Sequence, residues 1–225
     1  QVRVTTSYLI DNTAEATDQV VENKLKEGLA KVGGKSEILS SQKVGPTIAN
    51  DIKISAIYAV FFSIITIGLY ILVRFRKWQF SLGAMVALFH DVLLVLSFFS
   101  LFNGILPFNL DIDQAFIAAI LTVIGYSIND TVVVFDRVRE FLNLHHSKQD
   151  NMKEVINDAI NSTLSRTVIT ALTVIFVLAV LFIFGGEVIR GFSFALLIGV
   201  IFGTYSSICV ATPVVIEFDS KNQKG

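Results

Sequence analysis

The chain has 225 residues, of which 53% are hydrophobic and 16% charged, and its mean hydropathy is +0.65. This composition excludes an ordinary soluble domain of this length and predicts an integral membrane protein. A net charge of -1 gives no reason to expect nucleic acid or a strongly acidic partner. The single cysteine, Cys209, excludes an internal disulfide, and its apolar surroundings in the sequence predict a buried, inert thiol.

The N-terminal residues 1–50 are expected to form an external α+β segment. Apolar residues alternate with polar ones over 2–10, as in a half-buried strand. A helix capped by Asn12 or Thr13 should follow, and a second strand is expected over 38–44. The apolar residues of that helix share one face: Val21, Leu25, Leu29 and Val32. Because one strand, a helix and another strand cannot close a core at this size, we expect partner strands from outside this segment.

Five apolar runs in the rest of the chain approach the length of about 20 residues that a membrane-spanning helix needs. They cover residues 54–73, 80–102, 115–135, 167–184 and 191–215. The sequence therefore predicts a membrane all-α bundle of five helices within residues 51–216, followed by a tail over 217–225.

Basic residues are distributed unequally between the two sides of the predicted bundle. One side carries Arg74, Arg76, Lys77, Arg137, Arg139, Lys148, Lys153, Arg166, Lys221 and Lys224. The opposite connections, 103–114 and 185–190, carry only Arg190. The positive-inside rule then predicts that the loop 136–166 and the C-terminus are cytoplasmic and that the N-terminal segment is outside.

Two patterns concern helix packing. In the fifth run, small residues recur every fourth position, which lets another helix approach closely: Gly191, Ala195, Gly199, Gly203 and Ser207. Between the third and fourth runs lies an apolar stripe of Met152, Val155, Ile156, Ala159, Ile160 and Leu164. This stripe is compatible with a helix lying along the membrane surface or with a small soluble cap on the bundle.

Ionisable groups within apolar spans are costly and need an explanation. His90 and Asp91 lie in the second span, about 16 Å from its cytoplasmic end at 1.5 Å per residue. Asp130, which follows Asn129 in the third span, lies about 9 Å deep, and Arg166 at the start of the fourth span can reach a similar depth. The depths permit an Asp130–Arg166 pair.

Each of these groups also has a purely structural interpretation. Asp130 could simply hold the bundle together through an interhelical hydrogen bond, although intramembrane carboxylates usually mark proton or ion paths. His90 and Asp91 point about 100° apart on a helix, so one of them is open to a structural role alone. His145 and His146 lack a third ligand, and no metal site is expected there.

The run GYSINDTVVVFDRVRE over 125–140 resembles the signature of the SecF family of protein-export membrane subunits. Shorter matches accompany it: VGP at 44–46, FHDV at 89–92, LSRT at 164–167, and FGG at 184–186 ahead of GFS at 191–193. The resemblance extends from about 44 to 213, and the preceding residues would correspond to half of a ferredoxin-like periplasmic domain. It implies a fragment of SecF, or of a SecD-SecF fusion, whose first transmembrane helix lies upstream. Ala171 stands where the family often has Ser, which puts at most a helper hydrogen bond in doubt.

The resemblance also implies a function. Members belong to the resistance-nodulation-division superfamily and work with SecD beside the SecY-SecE-SecG channel in the bacterial inner membrane. They use the proton-motive force to draw the translocating preprotein outward, and YajC and YidC are further candidate partners. Carried over by motif, Asp130 is the proton-responsive carboxylate beside Asn129, Arg166 is its neighbour, and Asp91 with His90 is a supporting polar group. Neither covalent chemistry nor a cofactor is implied.

Two other functions compete with this interpretation. A proton-coupled exporter of lipids or small molecules would use the same kind of bundle and buried carboxylate, but the SecF-like signature argues against it. An intramembrane hydrolase would need a nucleophile with a base. Ser127 precedes Asp130 by one helical turn, yet no oxyanion-hole motif accompanies it, and this alternative ranks last.

Overall fold

The computed structural model describes residues 4, 6, 8, 17–31, 46–108, 110–144 and 152–222. Its helices are α1 (Thr17–Lys31), α2 (Pro46–Phe75), α3 (Trp78–Phe102), α4 (Gln114–Leu144), α5 (Met152–Phe184), α6 (Glu187–Ser206), a π-helical turn (Ser207–Ala211) and α7 (Thr212–Asn222). The chain divides into two compact units, Gln1–Ser55 and Ala56–Gly225.

Within the first unit, the predicted helix is confirmed as α1. Val21, Leu25 and Leu29 are half-buried on one face, as expected from their spacing. Lys24 Nζ donates to the Tyr8 hydroxyl at 3.3 Å and lies 5.1 Å from the centre of its ring. None of the described residues of this unit lies in a strand, so the α+β character of the segment stays a prediction. The expected helix caps and the second strand over 38–44 lie outside the described residues.

The second unit confirms the predicted number of spans. Five helices are long and apolar enough to cross a membrane, counted over the described part of the chain: Asp51–Phe75, Trp78–Phe102, Gln114–Leu144, Lys153–Phe184 and Ile189–Phe218. Each predicted run lies inside one of them. The fifth span is continuous through α6, the π-helical turn and α7 because no residue between them leaves the helical path.

The connection between the third and fourth spans differs from the prediction. Helix α4 continues to Leu144 and α5 begins at Met152, so most of the predicted 136–166 loop is helical. The apolar stripe belongs to α5 itself, with Ile156 and Ala159 fully buried against the bundle. A separate helix along the membrane surface is therefore wrong, because the stripe packs on the ends of other spans instead of on lipid.

Two hydrophobic cores stack along the bundle. One contains Phe99 and Phe116, whose ring centres are 4.4 Å apart. The other contains Phe75, Phe80 and Phe135, with Phe80 and Phe135 5.0 Å apart. Helix α4 passes through both cores, and so does the fifth span, which contributes α6 to the first core and the π-helical turn and α7 to the second. On these two spans buried polar residues lie between the two cores in sequence: Ser127, Asp130, Thr131, Ser206 and Ser207. Asp91 on α3 lies one turn from Ala87, the last member of the second core on that helix. A polar layer thus separates two apolar ones.

Helices α4 and α6 pack closely along a line of small residues. A side chain at Gly199 would collide with Val123, and a Cβ at Gly203 would lie 3.1 Å from the Ser127 Cβ. One turn further along, Thr131 and Ser207 are hydrogen-bonded at 2.8 Å. The two helices therefore run side by side in constant register, which is the close approach that small residues permit. Gly191, at the other end of the same stripe, is half-buried.

The π-helical turn Ser207–Ala211 immediately precedes Pro213. Proline lacks a backbone N–H and its ring crowds the carbonyl four residues earlier, so a wider turn accommodates it. Thr212 Oγ1 donates to the Ser207 carbonyl at 3.1 Å and occupies an acceptor in this turn. On the facing helix, Gly83 is required because a Cβ there would lie 2.7 Å from the Ala211 carbonyl oxygen. Cys209 in this turn is exposed, so the prediction of a buried thiol is wrong.

Candidate functional site

Asp91 is the centre of the polar layer. It lies on α3, its side chain is 0% exposed, and its carboxylate joins three helices. Ser127 Oγ on α4 and Ser206 Oγ on α6 both donate to Asp91 Oδ2, at 2.6 and 2.8 Å. His90 Nδ1 lies 3.2 Å from Oδ1, so both carboxylate oxygens have a partner.

The same layer continues toward the π-helical turn. Thr131 Oγ1 and Ser207 Oγ are hydrogen-bonded to each other at 2.8 Å. Because each hydroxyl has one hydrogen, one of the two donates to the other, and the second donates to a backbone carbonyl: Thr131 to Ser127 at 3.0 Å or Ser207 to Gly203 at 2.9 Å. Hydroxyls thereby satisfy one another inside an apolar bundle, where an unpaired polar group would be costly.

Asp130 has a different environment from Asp91. It lies on α4, one residue before Thr131, and is only 4% exposed. Thr204 Oγ1 on α6 donates to Asp130 Oδ2 at 3.3 Å, a longer contact than any that Asp91 makes with a hydroxyl. Tyr126 is close enough to Asp130 to interact with it electrostatically. This carboxylate is therefore buried with few hydrogen bonds.

Arg166 is near Asp130 without being bonded to it. Its side chain on α5 is exposed, and within the described ranges it forms no ion pair with Asp130. It is nevertheless close enough to act on the Asp130 carboxylate electrostatically. Asn129 is exposed on the surface of α4, and its side chain makes no hydrogen bond with any residue that the structure describes. Of the sequence-predicted residues, Asp91 and His90 are thus brought into direct contact, whereas Asn129 points elsewhere.

No group of three or more His, Cys, Asp or Glu side chains that could hold a metal ion occurs among the described residues. The chemistry available at this site is proton exchange at a carboxylate and rearrangement of hydrogen bonds between helices.

The motifs that carry these carboxylates coincide with a known family. A family model described as protein export membrane protein SecD/SecF, C-terminal, matches residues 24–221, which is most of the chain. The chain belongs to the SecD/SecF family. The resemblance drawn from the 125–140 motif is thereby confirmed.

Relatives within the SecD/SecF family agree. The protein translocase subunit SecF of Rhodothermus marinus is 57% identical over 185 residues, covering 82% of this chain and 59% of that protein. The protein translocase subunit SecF of Rhodobacter capsulatus is 44% identical over 198 residues, covering 88% and 57%. The chain therefore spans less than two thirds of the length of these two relatives.

Solved SecDF structures have the same fold. A crystal structure of SecDF from Thermus thermophilus, described as a translocon-associated membrane protein, matches with a TM-score of 0.75 and 38% identity over 88% of this chain and 27% of that one. A crystal structure of SecDF in a super-membrane-facing form matches with a TM-score of 0.72 and 35% identity over 90% and 27%.

Several hydroxyl residues of the site were not predicted as site residues from the sequence. Ser206 and Thr204 were not singled out, Ser127 was considered only as a nucleophile, and Ser207 only for packing. The sequence signal that could have found them is a hydroxyl residue within an otherwise apolar span. Such a residue lies either one helical turn from a carboxylate or on a helix that packs against the carboxylate's own helix. Hydroxyl residues are common in transmembrane helices, so only the contacts in the structure show which of them bond to a carboxylate.

Proposed function

We propose that the chain is the SecF part of a Sec protein-export assembly that uses the proton-motive force, together with SecD, to promote preprotein translocation across the bacterial inner membrane. Family membership and the names of the relatives support the export role. The observation that carries the proton coupling is the environment of Asp130, a carboxylate buried within a span and contacted by one hydroxyl at 3.3 Å.

The sparse hydrogen bonding of Asp130 suits a group that exchanges a proton. A carboxylate can accept about four hydrogen bonds, so one long contact leaves most of its capacity unused. Protonation or deprotonation of Asp130 therefore disrupts few hydrogen bonds. Arg166, close but unpaired, would respond to the change in charge, and α4 and α5 would then repack against each other.

The surface around this pair supports SecD as the partner inside the membrane. On α4 an exposed line of small or polar residues runs along the span: Ala118, Thr122, Gly125 and Asn129. Arg166 and Thr170 are exposed on α5, which packs against α4. Polar and small residues on the outer face of a span favour contact with another helix over contact with lipid. We assign this face to the SecD bundle, which makes Asn129 an interfacial residue of the proton path.

The proposed arrangement in the cell follows from the basic residues. The end of α2 and the cytoplasmic half of α4 meet through an ion pair between Arg74 and Asp136 at 3.2 Å, which brings basic residues of two connections to one side. We assign that side, with the 136–166 connection and the 217–225 tail, to the cytoplasm. Residues 1–50 would form the periplasmic α+β half-domain and 51–216 the bundle. The SecY-SecE-SecG channel, the preprotein, YajC and YidC complete the proposed partners.

The size of the driving force restricts the mechanism. One elementary charge crossing 100 mV supplies about 2.3 kcal/mol, whereas reversing an equilibrium from about 1:99 to 99:1 needs about 5.5 kcal/mol. Either more than one proton crosses per cycle, some of them through SecD, or the two conformations are closer in free energy.

The test is Asp130→Asn in the full-length parent protein, assayed with a preprotein in inverted membrane vesicles. Asparagine keeps the shape and still accepts the Thr204 hydrogen bond, so the protein should assemble at normal levels. Stimulation of export by the proton-motive force should be lost, while ATP-driven export remains. Full stimulation at full expression would reject Asp130 as the coupling group, and unchanged preprotein movement after deletion of the protein would favour a small-molecule exporter.

A further inference from the structure

The two buried carboxylates of the bundle differ in how many donors they receive. Asp91 has hydroxyl donors at 2.6 and 2.8 Å and an imidazole nitrogen at 3.2 Å, whereas Asp130 has, among the described residues, a single hydroxyl donor at 3.3 Å. Both serine hydroxyls donate to Oδ2, so they can stay in place when Asp91 is protonated, since a proton on Oδ1 would face His90 Nδ1, which accepts it in the tautomer protonated at Nε2. These contacts therefore fix the Asp91 carboxyl group between α4 and α6 in either protonation state, which suits a positioning role that needs no change of charge.

The residues that Asp91 holds belong to the helices that present Asp130 and its donor. Ser127 precedes Asp130 by about one turn on α4, and Ser206 follows Thr204 by two residues on α6. Both serines donate to the same oxygen, Asp91 Oδ2. One carboxylate oxygen on α3 consequently ties α4 to α6 at the level where Thr204 meets Asp130.

We propose that Asp91 is a positioning residue: through Ser127 and Ser206 it sets the register of α4 against α6, and so holds the Thr204 hydroxyl on Asp130 without carrying a proton itself. This inference rests on the proposed function, in which Asp130 is the group that exchanges the proton. Close packing reinforces the link, since a Cβ at Gly203 would lie 3.1 Å from Ser127 and 3.6 Å from Asp91 Oδ2.

Asparagine separates positioning from proton transfer at this site. Its amide oxygen can accept from both serine hydroxyls, and its NH₂ can donate to Nδ1 of a neutral His90. Asp91→Asn therefore keeps every contact of Asp91 but cannot titrate. Asp91→Ala removes the contacts as well.

The experiment uses the full-length protein with its partners in inverted vesicles, and measures proton-dependent stimulation of preprotein export per assembled complex as a function of pH. We expect Asp91→Asn to retain stimulation with an unaltered pH profile, as a rescue by the conservative residue. Asp91→Ala should shift the pH midpoint by about one unit, the effect of losing one hydrogen bond to a charged group. Over the part of the chain that the structure describes, the other charged or titratable groups near Asp130 are Tyr126 and Arg166, which both variants leave in place.

A second pair of variants covers the case in which Asp91→Ala does not assemble. The double variant Ser127→Ala and Ser206→Ala removes both ties and keeps the carboxylate, and it should shift the midpoint in the same direction as Asp91→Ala. Ser97→Ala is the matched control. Ser97 lies exposed on α3, and its hydroxyl donates to the Leu93 carbonyl oxygen at 2.7 Å. This control should leave the profile unchanged.

The outcomes distinguish failure of the positioning role of Asp91 from failure of the proposed function. Loss of stimulation in both Asp91→Asn and Asp130→Asn would overturn the positioning role and make Asp91 a second proton carrier. Lower amounts of complex with an unshifted profile in Asp91→Ala and the double serine variant would reduce Asp91 to a purely structural residue, which also overturns it. Full stimulation in Asp130→Asn would instead reject the proposed function itself.

Discussion

At the scale of single residues, Arg166 illustrates how depth and exposure can differ. Its backbone lies at the start of the apolar part of α5, but its side chain is exposed, whereas the Asp130 carboxylate is buried. A long side chain that reaches outward along its helix explains this difference. Because no hydrogen bond joins Arg166 to Asp130 among the described residues, we expect Arg166 to act through its charge, and the size and shape of its cationic group should matter less.

The effects of Arg166 variants should follow the charge that each variant keeps. We expect Arg166→Lys, which keeps the charge, to retain more proton-dependent export than Arg166→Ala, which should lose about tenfold, equivalent to about 1.4 kcal/mol. Arg190→Ala is the control, because Arg190 at the opposite end of the bundle donates to the Phe182 carbonyl at 3.3 Å. The measurement is stimulation of preprotein export by the proton-motive force. Equal losses in the lysine and alanine variants would show that the guanidinium makes a specific contact.

At the scale of secondary-structure elements, the pairing of α4 with α6 organises the site. Gly199 and Gly203 let the two backbones approach until Val123 and Ser127 fill the groove. The π-helical turn follows directly, where Pro213 prevents regular α-helical bonding. A widened turn next to a polar layer is a common feature of functional helices. The same residues that make the contact close also bring hydroxyls into bonding distance.

Filling the groove should destabilise the bundle. Gly199→Ala places a methyl group against Val123 and should lower the free energy of unfolding by about 1–3 kcal/mol, as overpacking of a well-packed contact does. Gly125→Ala on α4 is the matched control, since no atom of another described residue lies within 4 Å of its Cβ position. It should raise stability by about 0.5–1 kcal/mol, the ordinary gain of alanine over glycine inside a helix, without the clash. Unfolding of the purified chain in mixed micelles measures the stability of both variants. Equal effects of the two substitutions would contradict a specific close contact between α4 and α6.

At the scale of the whole molecule, the proposed topology, in which each of the five spans found over the described residues crosses the membrane, places residues 1–50 and the 217–225 tail on opposite sides. The basic residues at the end of α2 and on α4 meet on one side, where Arg139 donates to the Arg74 carbonyl at 3.4 Å. Acidic residues partly neutralise this end, since Arg74 pairs with Asp136 and Arg137 with Glu140, so the assignment rests on the number of basic residues and not on net charge. The other end carries Arg190 as the sole lysine or arginine in its two connections.

Labelling from each side of the membrane tests this topology. With the exposed Cys209 replaced by serine, single cysteines at Asn23 and Ser147 should react with an impermeant maleimide from opposite sides, Asn23 from the periplasm. A cysteine at Asn222, in the C-terminal helix, should behave like Ser147. Labelling of Asn23 and Ser147 from one side would refute the orientation.

The sequence by itself determined the five spans, because the length and apolarity of a membrane helix are local properties that a run of residues displays directly. It also located Asp91 and Asp130, since a charge inside an apolar run is conspicuous. Only the tertiary structure showed how their surroundings differ, and the roles proposed for them rest on that difference. The donors of Asp91 come from residues 36 and 115 positions away, and no local pattern links them to it. Likewise, whether the stripe of α5 lies on lipid or on the bundle depends on which helices surround it. Packing between elements distant in sequence thus decided which side chains contact each carboxylate, because those contacts are not local.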